Sequence, residues 1–301
     1  MSQRACVSRR SRSRRELTFA DGLAAWFYPP RESVPPTPCV VMAHGFGGTR
    51  GARLDAFAER FAAAGFGALV FDYRTFGDSA GEPRQLVDIG AQLDDWRAAI
   101  AFARSLPEVD ADRIALWGTS FSGGHVMVLA AEDDRVAAAV SQGAFADGLA
   151  TLAGFGPANM ARLTWHGLRD QAAALARRPP HRIPIVGPPG TVATMNTPDA
   201  QPGYLAIAPP DFRNEAAARV GLRVALYRPG TKAANIACPW LVVVADRDSI
   251  TPPAPLLKAA ARAPRAEVRR HDCQHFDIYV GDVFEANVAD QVAFLQRTLD
   301  A

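Results

Sequence analysis

A chain of 301 residues, 49% of them hydrophobic and 21% charged, can bury one large core and still carry an inserted subdomain. The net charge of +2 demands no nucleic-acid partner, and no apolar run approaches a membrane span, so neither nucleic acid nor membrane is expected as a partner. Four scattered cysteines, Cys6, Cys39, Cys238 and Cys273, lack C-x-x-C spacing. They speak against a disulfide framework or a zinc site and fit a cytoplasmic location.

In chain order, Arg4, Arg9, Arg10, Arg12, Arg14 and Arg15 crowd the first fifteen residues. No hydrophobic segment follows, because residues 16–21 already read as a strand. Residues 1–15 are therefore expected to be a disordered, solvated leader rather than an export signal. Residues 39–43 read as a buried strand, 54–64 as an amphipathic helix stopped by Gly65, and 66–71 as the next strand. Between 88 and 104, apolar residues recur at Ile89, Leu93, Trp96, Ile100 and Ala103 with helical period. Strands are expected at 114–117, 136–141, 240–245 and 266–270, and a closing helix at 283–299. Strands apolar on both faces, alternating with helices, imply an α/β fold with a mostly parallel central sheet flanked by helices. The alternation breaks at 145–235, a stretch rich in Pro, Gly, Met and aromatic residues. It is too long for a bare loop and is expected to be a cap inserted into a core of 16–144 and 236–301.

Gly118-Thr119-Ser120-Phe121-Ser122-Gly123 follows an apolar strand and opens a helix. Small residues there let the chain turn sharply and lift the Ser120 hydroxyl above the sheet, as a nucleophile elbow requires. The usual pattern is G-x-S-x-G; here Ser122 stands at the last glycine, which reads as a tolerated substitution followed by Gly123. A serine needs a base, and the base an orienting acid. His275, in a polar loop after the last strand, is the first choice, ahead of His271. His125 reads as a packed core histidine, and His166 and His181 fall in the cap. The acid is sought in Asp246-Arg247-Asp248, directly after a strand, with Asp248 preferred because it clears the strand end. His44-Gly45-Phe46-Gly47-Gly48 can turn an amide inward, so the N–H groups of Phe46 and Phe121 are the expected oxyanion donors. His44 itself is expected to brace that loop, and Asp72 and Asp78 to hydrogen-bond the loop after residue 71.

The order Ser120, Asp248, His275 with His44-Gly45-Phe46-Gly47 upstream resembles the α/β-hydrolase superfamily. Residues 71–74, Phe71-Asp72-Tyr73-Arg74, and Gly77-Asp78-Ser79-Ala80-Gly81 match as well. Within it the chain is most similar to bacterial serine esterases near dienelactone hydrolases, acetyl xylan esterases and acyl-peptidase-like enzymes. The resemblance implies the α/β-hydrolase fold and a Ser-His-Asp hydrolase of esters, thioesters or lactones, with a small-molecule acyl substrate and no metal or organic cofactor. The cap is expected to line an acyl or leaving-group pocket with Phe155, Met160, Trp165 and Met195. The same machinery would also serve C–C or amide hydrolysis, or acyl transfer, and a silent binding protein is a further alternative. A homodimer is compatible with the sequence.

Overall fold

The computed structural model describes residues 14–31, 34–153 and 156–299. Most of the expected leader, residues 1–13, and Phe155 lie outside the described residues. Eight strands form the main sheet: β1 (Arg15–Phe19), β2 (Leu23–Tyr28), β3 (Thr37–Ala43), β4 (Gly67–Phe71), β5 (Val109–Thr119), β6 (Val136–Gln142), β9 (Trp240–Ala245) and β10 (Ala266–His271). Their spatial order is β1-β2-β4-β3-β5-β6-β9-β10. β1 and β2 pair antiparallel, as do β2 and β4, and every other pairing is parallel. β3, β4 and β9 are buried along their whole length. Such strands need helices on both faces of the sheet, as the unbroken apolar runs predict. Those helices are α1 (Leu54–Ala63), α2 (Ile89–Ser105), α3 (Phe121–Ala130), α7 (Pro253–Ala260) and α8 (Gly281–Leu299).

The chain leaves β3 toward β4 on one side, and β5 lies on the other. The connections thus diverge between β3 and β5, the place where open α/β sheets form a crevice at their carboxyl ends. Register aligns those ends: Ala43 lies beside both Phe71 and Gly118, and Thr119 beside Gln142. The loops after β3, β5, β6, β9 and β10 therefore emerge on one edge.

Two features depart from the sequence reading. Arg15, placed in the leader, is the first residue of β1 and pairs with Glu108, while the Arg14 guanidinium lies 3.5 Å over the Trp26 ring. β2 was not foreseen, although Asp21-Gly22 is a strong hairpin signal and Gly22 does take a positive φ of 90°. Between β6 and β9 the chain forms α4 (Gly148–Ala153), α5 (Pro157–Leu175), a two-stranded ladder of β7 (Arg182–Ile183) and β8 (Ala216–Ala217), α6 (Ala200–Ile207), and three 3-10 turns from Ala218 to Asn235. No helix of the described residues is long and apolar enough to cross a membrane.

A buried amide cluster ties α8 to the sheet beneath the crevice. Gln142 Oε1 accepts from Asn287 Nδ2 and Gln291 Nε2, both at 2.7 Å, and Gln291 Oε1 accepts from Trp117 Nε1 at 2.7 Å. Buried polar groups cost little when every donor is met and much when one is orphaned. Gln142→Leu is expected to lower unfolding free energy by about 2–4 kcal/mol, since it takes one acceptor from each of two buried amides that keep only Ile278 O and Asn287 Oδ1. Urea denaturation of the variant checks this, and an unchanged midpoint would remove the cluster from the stability account.

Candidate active site

β5 ends at Thr119, and Ser120 adopts φ 56°, ψ −121° before α3 begins. A side chain rarely takes such a conformation, which costs about 1–3 kcal/mol unless its surroundings impose it. Here they do. Ser120 N–H donates to Gln142 O at 2.8 Å, and Ser120 O accepts from the N–H of Gly123 at 3.0 Å and of Phe145 at 2.9 Å. Glycine is required around the turn for space. A Cβ at Gly118 would lie 2.4 Å from Ser122 O, one at Gly123 2.6 Å from the Ala144 Cβ, and one at Gly45 2.7 Å from the Ser120 Cβ.

Ser122 is more than a tolerated replacement. It is fully buried, and its hydroxyl lies 2.8 Å from Tyr73 Oη, which accepts from Trp96 Nε1 at 2.8 Å. The indole can only donate, so the Tyr73 oxygen accepts from it and shares a second hydrogen bond with the Ser122 hydroxyl. The close approach expected at this position falls instead to Gly123.

His275 and Asp248 come from the loops after β10 and β9 and meet with Nδ1 2.6 Å from Oδ2. Both are buried. Asp248 Oδ1 also accepts the N–H groups of Ile250 at 2.8 Å and Thr251 at 2.7 Å, and Thr251 Oγ1 lies 2.8 Å from Oδ2. Thr251, absent from the sequence reading, thus holds the carboxylate through both its amide and its hydroxyl. Asp246 is elsewhere: it pairs with Arg270 at 2.8 Å. Ser120 and His275 line one small cavity with His44, Gly45, Phe46 and Tyr204. Phe46 and Phe121 also line, with Ser120, an adjoining apolar cavity, and no hydrogen bond among the described residues engages the N–H of either. The Phe46 carbonyl accepts from Tyr204 Oη at 3.0 Å, and Gly47 (φ 68°) leaves no room for a Cβ against Ile185.

The other polar candidates are tied into structure. His44 is buried, with Nδ1 2.9 Å from Gly45 O. Burial pushes its pKa down to about 4, and the Arg50 charge adds to that. His125 is also buried, between the Tyr227 hydroxyl at 2.7 Å and Gln92 Oε1 at 3.0 Å, and burial lowers it to about 3. Asp72 and Asp78 both pair with Arg50, a residue the sequence reading passed over. His166 and His181 face each other at 2.7 Å between α5 and the chain before β7. His271 lies 3.8 Å from Asp290, away from Ser120. Among the described residues, no three His, Cys, Asp or Glu side chains converge as metal ligands.

An apolar cavity opens on the other side of Ser120, between the sheet edge and the segment joining β6 to β9. Phe121, Phe145, Met160, Leu163, Met195 and Val220 are among its walls. Of the four pocket residues named from the sequence, Met160 and Met195 are among these walls. Trp165 is not: it is 66% exposed. Five residues along a helix turn the side chain about 140°, so Trp165 faces away from the cavity that Met160 enters. Leu163 and Val220 were missed because their walls form only through tertiary packing of short elements.

This crevice is that of the α/β-hydrolase fold, and the chain belongs to that family, whose model matches residues 38–282. It is 47% identical to the quorum-quenching protein AidA of Acinetobacter baumannii, over 91% of this chain and 90% of that protein. It is 28% identical to the thiohydrolase aneE of Aspergillus aculeatus, over 87% and 86% of the two chains. The crystal structure of the α/β hydrolase GrgF from a Penicillium species superposes with a TM-score of 0.79 at 25% identity, covering 96% of this chain and 99% of that one.

The two buried neutral histidines give stability a pH dependence. In the unfolded chain both take up protons near pH 6.5, whereas in the fold they resist protonation until about 4 and about 3. Their contribution is fully present above pH 6.5 and is lost as pH falls. Unfolding free energy is expected to drop from pH 6.5 toward 4 by up to about 1.4 kcal/mol per pH unit for each histidine. Denaturant titrations across that range measure it; a flat profile would contradict the neutral assignment.

Proposed function

We propose that the protein is a serine hydrolase that cleaves a carboxylic ester, thioester or lactone through an acyl-enzyme. The observation that carries this reading is Ser120, held in a strained turn and lining one cavity with His275, which pairs with Asp248. The unengaged amides of Phe46 and Phe121 belong to residues that line the adjoining cavity with Ser120. His275 Nδ1–H donates to Asp248, which leaves Nε2 free to accept the Ser120 proton. The serine oxygen attacks the carbonyl carbon, and the N–H groups of Phe46 and Phe121 stabilise the resulting oxyanion. Collapse expels the alcohol, thiol or ring oxygen, which takes the proton back from His275. Water then repeats the sequence on the acyl-enzyme, releasing the acid and restoring Ser120.

The segment 145–235 acts as a cap in this reading, and its apolar cavity with Met160 and Met195 takes the acyl group. The relative named a thiohydrolase supports keeping thioesters among the substrates. The substrate class is therefore an apolar acyl compound rather than a charged one.

Ser120→Ala is expected to lower turnover of an activated ester by at least about a thousandfold and to abolish labelling by a fluorophosphonate. A variant that kept near wild-type turnover would take Ser120 out of the mechanism. Asp248→Asn is expected to cost orders of magnitude in kcat, and Asp246→Asn less than about threefold. Steady-state kinetics of the pair decide this; the opposite ranking would reassign the acid.

A further inference from the structure

The segment between β6 and β9 differs from the rest of the surface in two ways at once. Of the seven large apolar side chains left exposed among the described residues, six lie in it: Leu149, Trp165, Leu168, Leu175, Leu205 and Leu226. It also carries ten Arg and Lys against five Asp and Glu, whereas the rest of the chain, its Arg-rich first fifteen residues included, carries twenty-three against twenty-six. A positive, apolar pole therefore stands against a remainder that is close to charge-balanced.

Helix α5 concentrates both properties. Ala161, Trp165, Leu168, Ala172 and Leu175 recur at spacings of four and three, so they form one straight row, and all five are exposed. Trp165, Leu168 and Leu175 are 66%, 53% and 78% exposed. Arg162 and Arg169 flank the row on one side, and Arg177 and Arg178 follow the helix end, all exposed. The helix has a single acid, Asp170, which is fully buried against Arg219 at 2.7 Å and offers no negative charge outside. The opposite face of the same helix carries Met160 and Leu163 into the apolar cavity beside Ser120.

We propose that the outer face of α5 docks on an anionic phospholipid bilayer, with Trp165, Leu168 and Leu175 in the headgroup–acyl boundary and the arginines on lipid phosphates. A row of Trp and Leu edged by Arg is the pattern of an interfacial helix, and it needs no membrane span. Charge decides against a second copy as the occupant. Antiparallel pairing of two α5 helices brings the same arginine flanks together, and Arg169 of each copy would meet its twin. An anionic surface attracts this pole more strongly than the charge-balanced remainder of the chain, which sets the orientation of docking.

The test is co-sedimentation of the full chain with phosphatidylglycerol vesicles, compared with phosphatidylcholine vesicles. Binding is expected to the anionic vesicles alone, to weaken with salt, and to shift tryptophan emission to the blue, since Trp96, Trp117 and Trp240 are already buried and Trp165 is not. Leu168→Glu with Leu175→Glu is expected to cut the bound fraction at least tenfold. Arg169→Glu, which leaves the apolar row intact, should cut it severalfold and reads the same contact if the double variant does not fold. The proposal is overturned if the wild type stays in the supernatant at low salt, or if folded variants bind as well as it does. It is equally overturned if sedimentation equilibrium shows a dimer that the double variant breaks. Ester hydrolysis enters none of these readouts, so they stand apart from the fate of the catalytic reading.

Discussion

The backbone of Ser120 is the constraint on which the site depends. A non-glycine residue at positive φ persists only where its neighbours leave it no alternative. β6 supplies the hold: Gln142 O takes the Ser120 N–H, and Phe145, three residues on, returns its own N–H to Ser120 O. The elbow is thus a bracket between two adjacent strands as well as a local turn. Its position in the centre of the sheet, flanked by the loops after β3 and β6, follows from the strand order alone.

Around this bracket the protein buries polar groups and pairs several of them across the fold, although His44 Nε2 and Arg50 Nε are buried without a partner. Tyr73 joins Trp96 to Ser122 under the elbow, Gln142 gathers Asn287 and Gln291 behind it, and Arg50 gathers Asp72 and Asp78 beside the β3 loop. Burial of Asp72 raises its pKa to about 6 even with the Arg50 charge against it. Each cluster joins chain segments distant in sequence, so each fixes the relative placement of two loops that an apolar contact would let slide.

The fold was legible because the parallel strands are apolar on both faces and leave uninterrupted runs in the sequence, at β3, β4 and β9 above all. The placement of Ser120, His275 and Asp248 at one edge of the sheet was legible for a related reason: each follows such a run, where an α/β sheet places its loops. Thr251 was not, because a threonine in a turn carries no pattern until the carboxylate it holds is known. Ser122 was read by comparison with a glycine, and its actual partner, Tyr73, lies 49 residues away. The segment between β6 and β9 was the least legible. Its helices are short apart from α5, and the face of α5 that meets the cavity is set by packing on Ala218–Leu222, not by its own periodicity. Trp165 went to the wrong side for that reason.

One hydrogen bond gives the insertion a part in assembling the crevice. Tyr204, on α6, reaches across 158 residues of sequence to the carbonyl of Phe46, and α6 also presses Gly203 against the Phe276 ring next to His275. A side chain larger than hydrogen at residue 203 would strike that ring. The inserted segment therefore works as a jig as well as a wall: the amide loop and the histidine loop are both gauged against one short helix. The shape of the apolar cavity and the relative placement of the loops after β3 and β10 are then not separately adjustable, since residues that reshape the roof also reset the loops beneath it.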